Sequence, residues 1–135
     1  MIAQCGGLMN LEAKGDRYYG SDLNRFVDEN CSRTMTAMNI DLIMHKKSKG
    51  AIRIIESKHG AEGMKKGQRD LLNLLGKHSE LIGAALGGKF EVYIIVGDPP
   101  YNKATIINLL NDAQAEVDKM ALIKFLNFEM GFEEL

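Results

Sequence analysis

Residues 52–60 read IRIIESKHG: four residues suited to a buried strand, then a glutamate and a lysine two positions apart. Side chains alternate along a strand, so Ile52, Ile54, Glu56 and Lys58 share one face while Arg53, Ile55, Ser57 and His59 share the other. The charges therefore continue the more apolar row. A solvated charge pair would more naturally extend the row that already holds Arg53 and Ser57. An unpartnered buried carboxylate costs several kcal/mol, so Glu56 and Lys58 need compensation, from each other or from a bound cation.

The preceding stretch offers a partner. MTAMNIDLIMH (35–45) and AIRIIESKH (51–59) flank a Lys-Ser-Lys-Gly turn and read as a hairpin. With residues 47–50 as the loop, Lys46 pairs with Ala51, and counting back along both strands sets Asp41 opposite Glu56. An odd loop would turn Asp41 to the other face. Two acids side by side on one face repel unless a divalent cation lies between them. Hard oxygen ligands at this spacing suit Mg²⁺, with Mn²⁺ as its substitute, held by one or two carboxylates plus waters and a substrate oxygen. A lysine beside the metal can orient the attacking water and balance charge growing on a phosphate.

The whole chain sets the frame. Its 135 residues, 45% hydrophobic and 26% charged, fit a single domain with a real core. No run approaches the roughly 18 apolar residues of a membrane span. The opening MIAQCGGLMN has neither the charged start nor the apolar stretch of a secretion signal, so an intracellular protein is expected. Cys5 and Cys31 lie far apart without metal-ligand spacing and read as core thiols.

A first helix is expected over 21–31, where Leu23, Phe26, Val27 and Asn30 recur at helical spacing. After the hairpin, a second helix starts near Gly63 or Met64 and runs through Leu75, with Gly76 a point of interruption before HSELIGAAL. FEVYIIVG (90–97) is a buried strand ended by Asp98-Pro99-Pro100. The last third, about 104–130, reads as helical, with Ile106, Leu110, Ala113, Val117 and Met120 on one stripe. The expected architecture is an α/β domain with a small mixed sheet covered by helices.

Charge is distributed unevenly. Residues 45–69 hold eight lysines and arginines against Glu56 and Glu62, a local balance of +6; with 17 basic and 18 acidic residues in all, the remainder carries −7. Such polarity suits a surface that meets a polyanion, with Lys46, Lys47, Lys49, Lys65, Lys66 and Arg69 as backbone contacts; a solvated basic loop and helix is the plainer alternative. In the second helix Met64, Gln68, Leu71, Leu72 and Leu75 share one side, embedding Gln68 in the packing stripe. A buried amide there bonds a backbone group at the sheet edge, or reaches a metal-bound water or a phosphate.

Asp41 in NIDLIM, a hairpin turn, IIESK supplying E-x-K, and Gln68 in the next helix together resemble the PD-(D/E)XK nuclease superfamily, the fold of many restriction endonucleases and archaeal Holliday-junction resolvases. The likeness covers roughly residues 20–97 and implies an α-β-β-β-α-β core. It further implies that Asp41 and Glu56 bind catalytic Mg²⁺, that Lys58 is the catalytic lysine, and that Gln68 is the helix glutamine of several branches. Ile40 stands where the signature proline would be, and the first-helix glutamate of the resolvases falls on Asn24, leaving Asp22 and Glu29 as substitutes. The expected activity is metal-dependent hydrolysis of DNA, by an endonuclease because a compact domain has no tunnel to thread an end. A homodimer is the simplest way to cut two strands, with ALIKFLNFEMGF (121–132) as interface or as core. The alternative is a catalytically silent nucleic-acid-binding module of the same fold.

A competing signal is Asp-Pro-Pro-Tyr at 98–101, which resembles the catalytic motif of DNA adenine methyltransferases. Such an enzyme needs a glycine-rich turn after an early strand for its adenosyl cofactor, and neither Gly6-Gly7 nor Gly87-Gly88 follows one. A loop leaving the last core strand is the better reading, with Tyr101 available to stack on a base. His59 follows Lys58 on the opposite side of the strand, as a surface histidine or a phosphate contact.

Overall fold

The computed structural model describes residues 21–32, 34–59 and 64–135. The chain divides into two compact units, residues 1–39 and 40–135. In the first, α1 spans Asp22–Asn30 and starts at Ser21, whose Oγ accepts the Asn24 N–H at 3.1 Å. Leu23 and Phe26 lie exposed on α1, and Cys31 at its end is exposed as well, correcting the expectation of a core thiol. Cys5 falls outside the described residues.

The second unit is built on a five-stranded mixed sheet in the order β1-β2-β3-β4-β5. Strands β1 (Leu42–Lys46) and β2 (Ala51–Lys58) form the expected hairpin around a short 3-10 turn, Lys47–Lys49, and Lys46 pairs with Ala51 as the turn chemistry requires. Gly50 closes that turn with φ of 60°, a conformation open to glycine at little cost. Helices α2 (Lys66–Lys77) and α3 (Ser79–Leu86) then carry the chain back, so that β3 (Lys89–Val96) joins β2 in parallel. Crossovers of this type bury the parallel strands, which explains the near-continuous apolar runs of β2 and β3. The interruption between α2 and α3 falls at His78 rather than Gly76. Gly76 is instead a packing glycine: a Cβ there would stand 2.5 Å from Leu109 Cβ and 2.7 Å from its carbonyl oxygen.

The last third departs from expectation. It forms β4 (Lys103–Asn108), β5 (Ala113–Asp118) and only then a helix, α4 (Lys119–Leu126). Ile106 and Val117 fit a helical stripe by spacing, yet they also fit period two: Ala104 and Ile106 on β4 and Val117 on β5 point into one core, while Glu116 and Asp118 point outward. The turn between them is built by short polar side chains, with Asn108 Oδ1 accepting the Leu110 N–H, Asn111 Oδ1 accepting the Ala113 N–H, and Asp112 at φ of 61°. Met120 ends exposed on α4. Among the described residues two strands, not three, precede α2, so the α-β-β-β-α-β order is replaced by α-β-β-α-α-β-β-β-α. No helix among them is long and apolar enough to cross a membrane.

One sheet face packs on α4 and the turn after it, through Ile55, Tyr93, Ile95, Ile106, Val117, Leu122 and Phe125. The segment 121–132 is therefore core, as Leu122, Phe125 and Phe128 are buried. Tyr93 meets Phe125 edge-on at 4.9 Å and stacks on Phe132 at 5.9 Å; burial pushes its phenol well above the ordinary tyrosine range. Arg53, 4% exposed, reaches into the same layer. Its Nε donates to Glu91 at 2.9 Å, its Nη1 donates to the Phe125 carbonyl, and its guanidinium lies 4.3 Å from the Phe125 ring and 4.1 Å from the Phe128 ring. Helices α2 and α3 pack on β3 from the opposite face, with Leu72 fully buried.

Removing a partnered buried charge strands its counter-ion and opens a void, so Arg53→Ala is expected to lower unfolding stability by about 3–4 kcal/mol; an unchanged urea midpoint would show that the clamp is dispensable. Gly76→Ala forces α2 away from Leu109 and is expected to cost about 1–3 kcal/mol in the same measurement.

Candidate functional site

The alternation of β2 sets Ile52, Ile54, Glu56 and Lys58 on the face turned to α2 and α3, where β3 contributes Val92, Ile94 and Val96 in register. Glu56, beside Ile94, is 5% exposed. Lys58, beside Val96, keeps a side chain 16% exposed, and its Nζ stands 3.9 Å from Glu56 Oε2, an ion pair at long range rather than a hydrogen bond. Burial raises the Glu56 carboxyl above the usual glutamate value; the Asp41 N–H opposes this, the Asp41 charge adds to it, and the Lys58 charge opposes it.

Asp41 stands at the mouth of the hairpin, one position beyond the last ladder pair, Leu42 with Ile55. Its backbone N–H donates to Glu56 Oε1 at 3.2 Å. Its carboxylate Oδ2 accepts both the N–H of Ser57 at 2.9 Å and the Ser57 hydroxyl at 2.8 Å. A side chain thus holds the position where a backbone carbonyl would continue the ladder, which is why β1 begins at Leu42 and not near Met35. Ser57 is the residue that sequence reasoning missed: it lies on the other row of β2, and period two alone gives it no reason to meet Asp41.

Gln68 lies on α2 one turn before the buried Leu72, half-buried and turned to the sheet. The basic residues separate into two groups. Lys65, Lys66 and Arg69 occupy the start of α2, the end of the crossover that follows β2. Lys66 pairs with Asp70 at 2.7 Å and Arg69 Nε donates to Asn73 at 3.3 Å. Lys46, Lys47 and Lys49 sit at the hairpin turn, at the other end of β2, about 23 Å from Lys58 along the strand. Lys49 Nζ is engaged there by the Phe128 carbonyl at 2.6 Å. One continuous basic surface, as the sequence read, is not what this strand direction produces. Asp22 and Glu29 belong to the first unit.

The Asp-Pro-Pro-Tyr segment joins β3 to β4. The Tyr101 N–H closes it onto the Asp98 carbonyl at 2.9 Å, and the Tyr101 side chain packs against the core, so its ring is committed to packing rather than to a base. Asp98 Oδ1 lies 3.1 Å from His59 Nδ1.

Among the described residues no group of three or more His, Cys, Asp or Glu side chains is arranged to hold a metal ion. The Asp41 carboxylate turns to Ser57 on the other row and meets Glu56 only through its backbone N–H, so the two acids offer hard oxygen donors of the type a Mg²⁺-like cation takes, one or two at a time with its waters, without being set face to face. Comparisons with protein-family models, curated proteins and solved structures give no match.

A carboxyl raised by burial makes the folded state most stable while it is protonated, and that stability declines as pH rises from the ordinary glutamate range toward the raised value. Without divalent ions, Glu56→Gln is therefore expected to melt higher than the wild type near pH 7 and to match it near pH 3. Melting curves of both proteins across that range check the sign, and a lower-melting variant at neutral pH would contradict it.

Proposed function

We propose that the chain is a divalent-metal-dependent deoxyribonuclease of the PD-(D/E)XK kind, cutting phosphodiester bonds as an endonuclease. The observation that carries this reading is Glu56, a carboxylate buried on the apolar row of a core strand, next to Asp41, with its nearest ammonium 3.9 Å away. A structural ion pair would close to hydrogen-bonding distance and lie on the wetter row. Further support comes from the chain order, in which the start of α2 with its basic residues follows the end of β2. There Lys65 and Arg69 can hold the nucleic-acid backbone.

On this reading each residue has a role. Asp41 and Glu56 would hold Mg²⁺, or Mn²⁺ in its place, and Ser57 fixes the Asp41 carboxylate through two hydrogen bonds. When bound, such an ion polarises the phosphoryl oxygen and favours deprotonation of water. Lys58 can orient the attacking water and balance charge growing on the phosphate. Gln68, turned to the sheet from the first turns of α2, can donate its amide to the same water or to a phosphate oxygen. Walls of Ile94 and Val96 exclude solvent and strengthen these interactions.

Supercoiled plasmid and a synthetic four-way junction, incubated with Mg²⁺, with Mn²⁺ and with chelator, test the reading. Metal-dependent cutting is expected, with Lys58→Ala and Glu56→Ala slowed by about 10²–10³-fold. Mg²⁺ is expected to raise the melting temperature of the wild type but not of Glu56→Ala. Binding of both DNAs without cutting would leave the alternative, a silent nucleic-acid-binding module in which Asp41, Ser57, Glu56 and Lys58 only finish the hairpin.

A further inference from the structure

The face of the sheet that carries Glu56 and Lys58 does not end at β3. Register runs straight across it, from Lys58 to Val96, from Val96 to Thr105, and from Thr105 to Glu116, so these four side chains form one row. Lys103 and Asp118 pair one step outward on the same face. Over β3 this face is covered by α2 and α3, whereas Glu116 and Asp118 on β5 are exposed. Between Val96 and Asp118 lies an open hollow of about 450 Å³, lined by Val96, Lys103, Ala104, Thr105, Glu116, Val117 and Asp118, of which Ala104 and Val117 turn their side chains to the opposite face.

Position and chemistry together limit what this hollow can hold. At about 4.8 Å per strand, Thr105 stands about 10 Å from Lys58 and Glu116 about 14 Å, the reach from a phosphate to the hydrogen-bonding edge of an adjoining base. A second phosphate is disfavoured, because two carboxylates face one ammonium. A planar, mostly uncharged group with donors at its edge suits the lining: an apolar wall at Val96, a hydroxyl at Thr105, an acceptor at Glu116 and a donor at Lys103. Asp118 is partly committed, since its Oδ1 caps α4 by accepting the Ala121 N–H at 2.8 Å. Glu116 is the principal acceptor.

We infer that this hollow is a nucleobase site, receiving the base next to the phosphate bound at Asp41, Glu56 and Lys58 and favouring the amine-bearing bases cytosine, adenine and guanine over thymine. The inference rests on the proposed function for the place of the phosphate and narrows its substrate: a base that lays its flat face on Val96 with its edge at Glu116 has left the helical stack, so the substrate is DNA that is single-stranded or opened beside the cut. A carboxylate accepting from an exocyclic amine supplies the preference.

The test is a titration of the full-length, isotope-labelled protein with short oligo(dC), oligo(dA) and oligo(dT) in chelator, followed by nuclear magnetic resonance, beside cleavage of the same oligomers with Mg²⁺. Resonances of Val96 and Thr105 are expected to shift with dC and dA, with affinity about tenfold above that for dT. Glu116→Gln is expected to reduce that ratio to about twofold, and Thr105→Val to weaken binding of all three. Shifts confined to Lys58 and the start of α2, or a ratio untouched by Glu116→Gln, overturn the base site. Cutting without shifts at Val96 and Thr105 leaves the nuclease standing and the base site refuted; base-selective shifts without cutting do the reverse.

Discussion

The Arg53 guanidinium organises the domain. It is a charge placed inside the apolar layer, and that placement is tolerable only because every direction around it is occupied: Glu91 in the sheet, the carbonyls of Phe125 and Met130, and the rings of Phe125 and Phe128 on either side. The clamp ties the segment after β5 to the central strands and fixes which face of the sheet α4 covers. With that face filled, α2 and α3 pack on β3 from the other, and both rows of β2 are buried. The enclosure gives Glu56 its unusual character. On an exposed hairpin the same Glu-x-Lys would be two solvated charges of little consequence.

Much of this was legible in the residues. The Lys-Ser-Lys-Gly turn dictated a register that carries Asp41 to the mouth of the hairpin beside Glu56, and alternation in IRIIESK put the two charges on the apolar row. Two kinds of information were hidden. Ile106 and Val117 satisfy periods of both 2 and 3.6, so spacing alone could not separate a hairpin from a helix; the Asn-Asp pair at 111–112, a turn signal, was the discriminating feature. Direction was the other: adjacent in sequence, the lysines of the hairpin turn and those of α2 seemed one patch, but an eight-residue strand lies between them and carries them to opposite ends of the sheet.

Burial at Glu56 disfavours its charged form, with one backbone N–H and a distant ammonium as compensation. Asp41 is secured by Ser57, so the second carboxylate is oriented before any ligand arrives.

The partners of Arg53 have a consequence for how the chain acquires its structure. The Phe125 and Met130 carbonyls lie 72 and 77 residues beyond it. During synthesis the hairpin, the crossover and β3 all emerge while that guanidinium has Glu91 and the Tyr93 ring to meet but neither distant carbonyl, and until those arrive it is better left in water. Strand β2 thus cannot settle early into its enclosed position, and neither can the carboxylate three residues further along it. Helix α4 and the turn after it act as a latch: burial of Glu56 and Lys58 is completed together with contacts made more than 70 residues further along the chain.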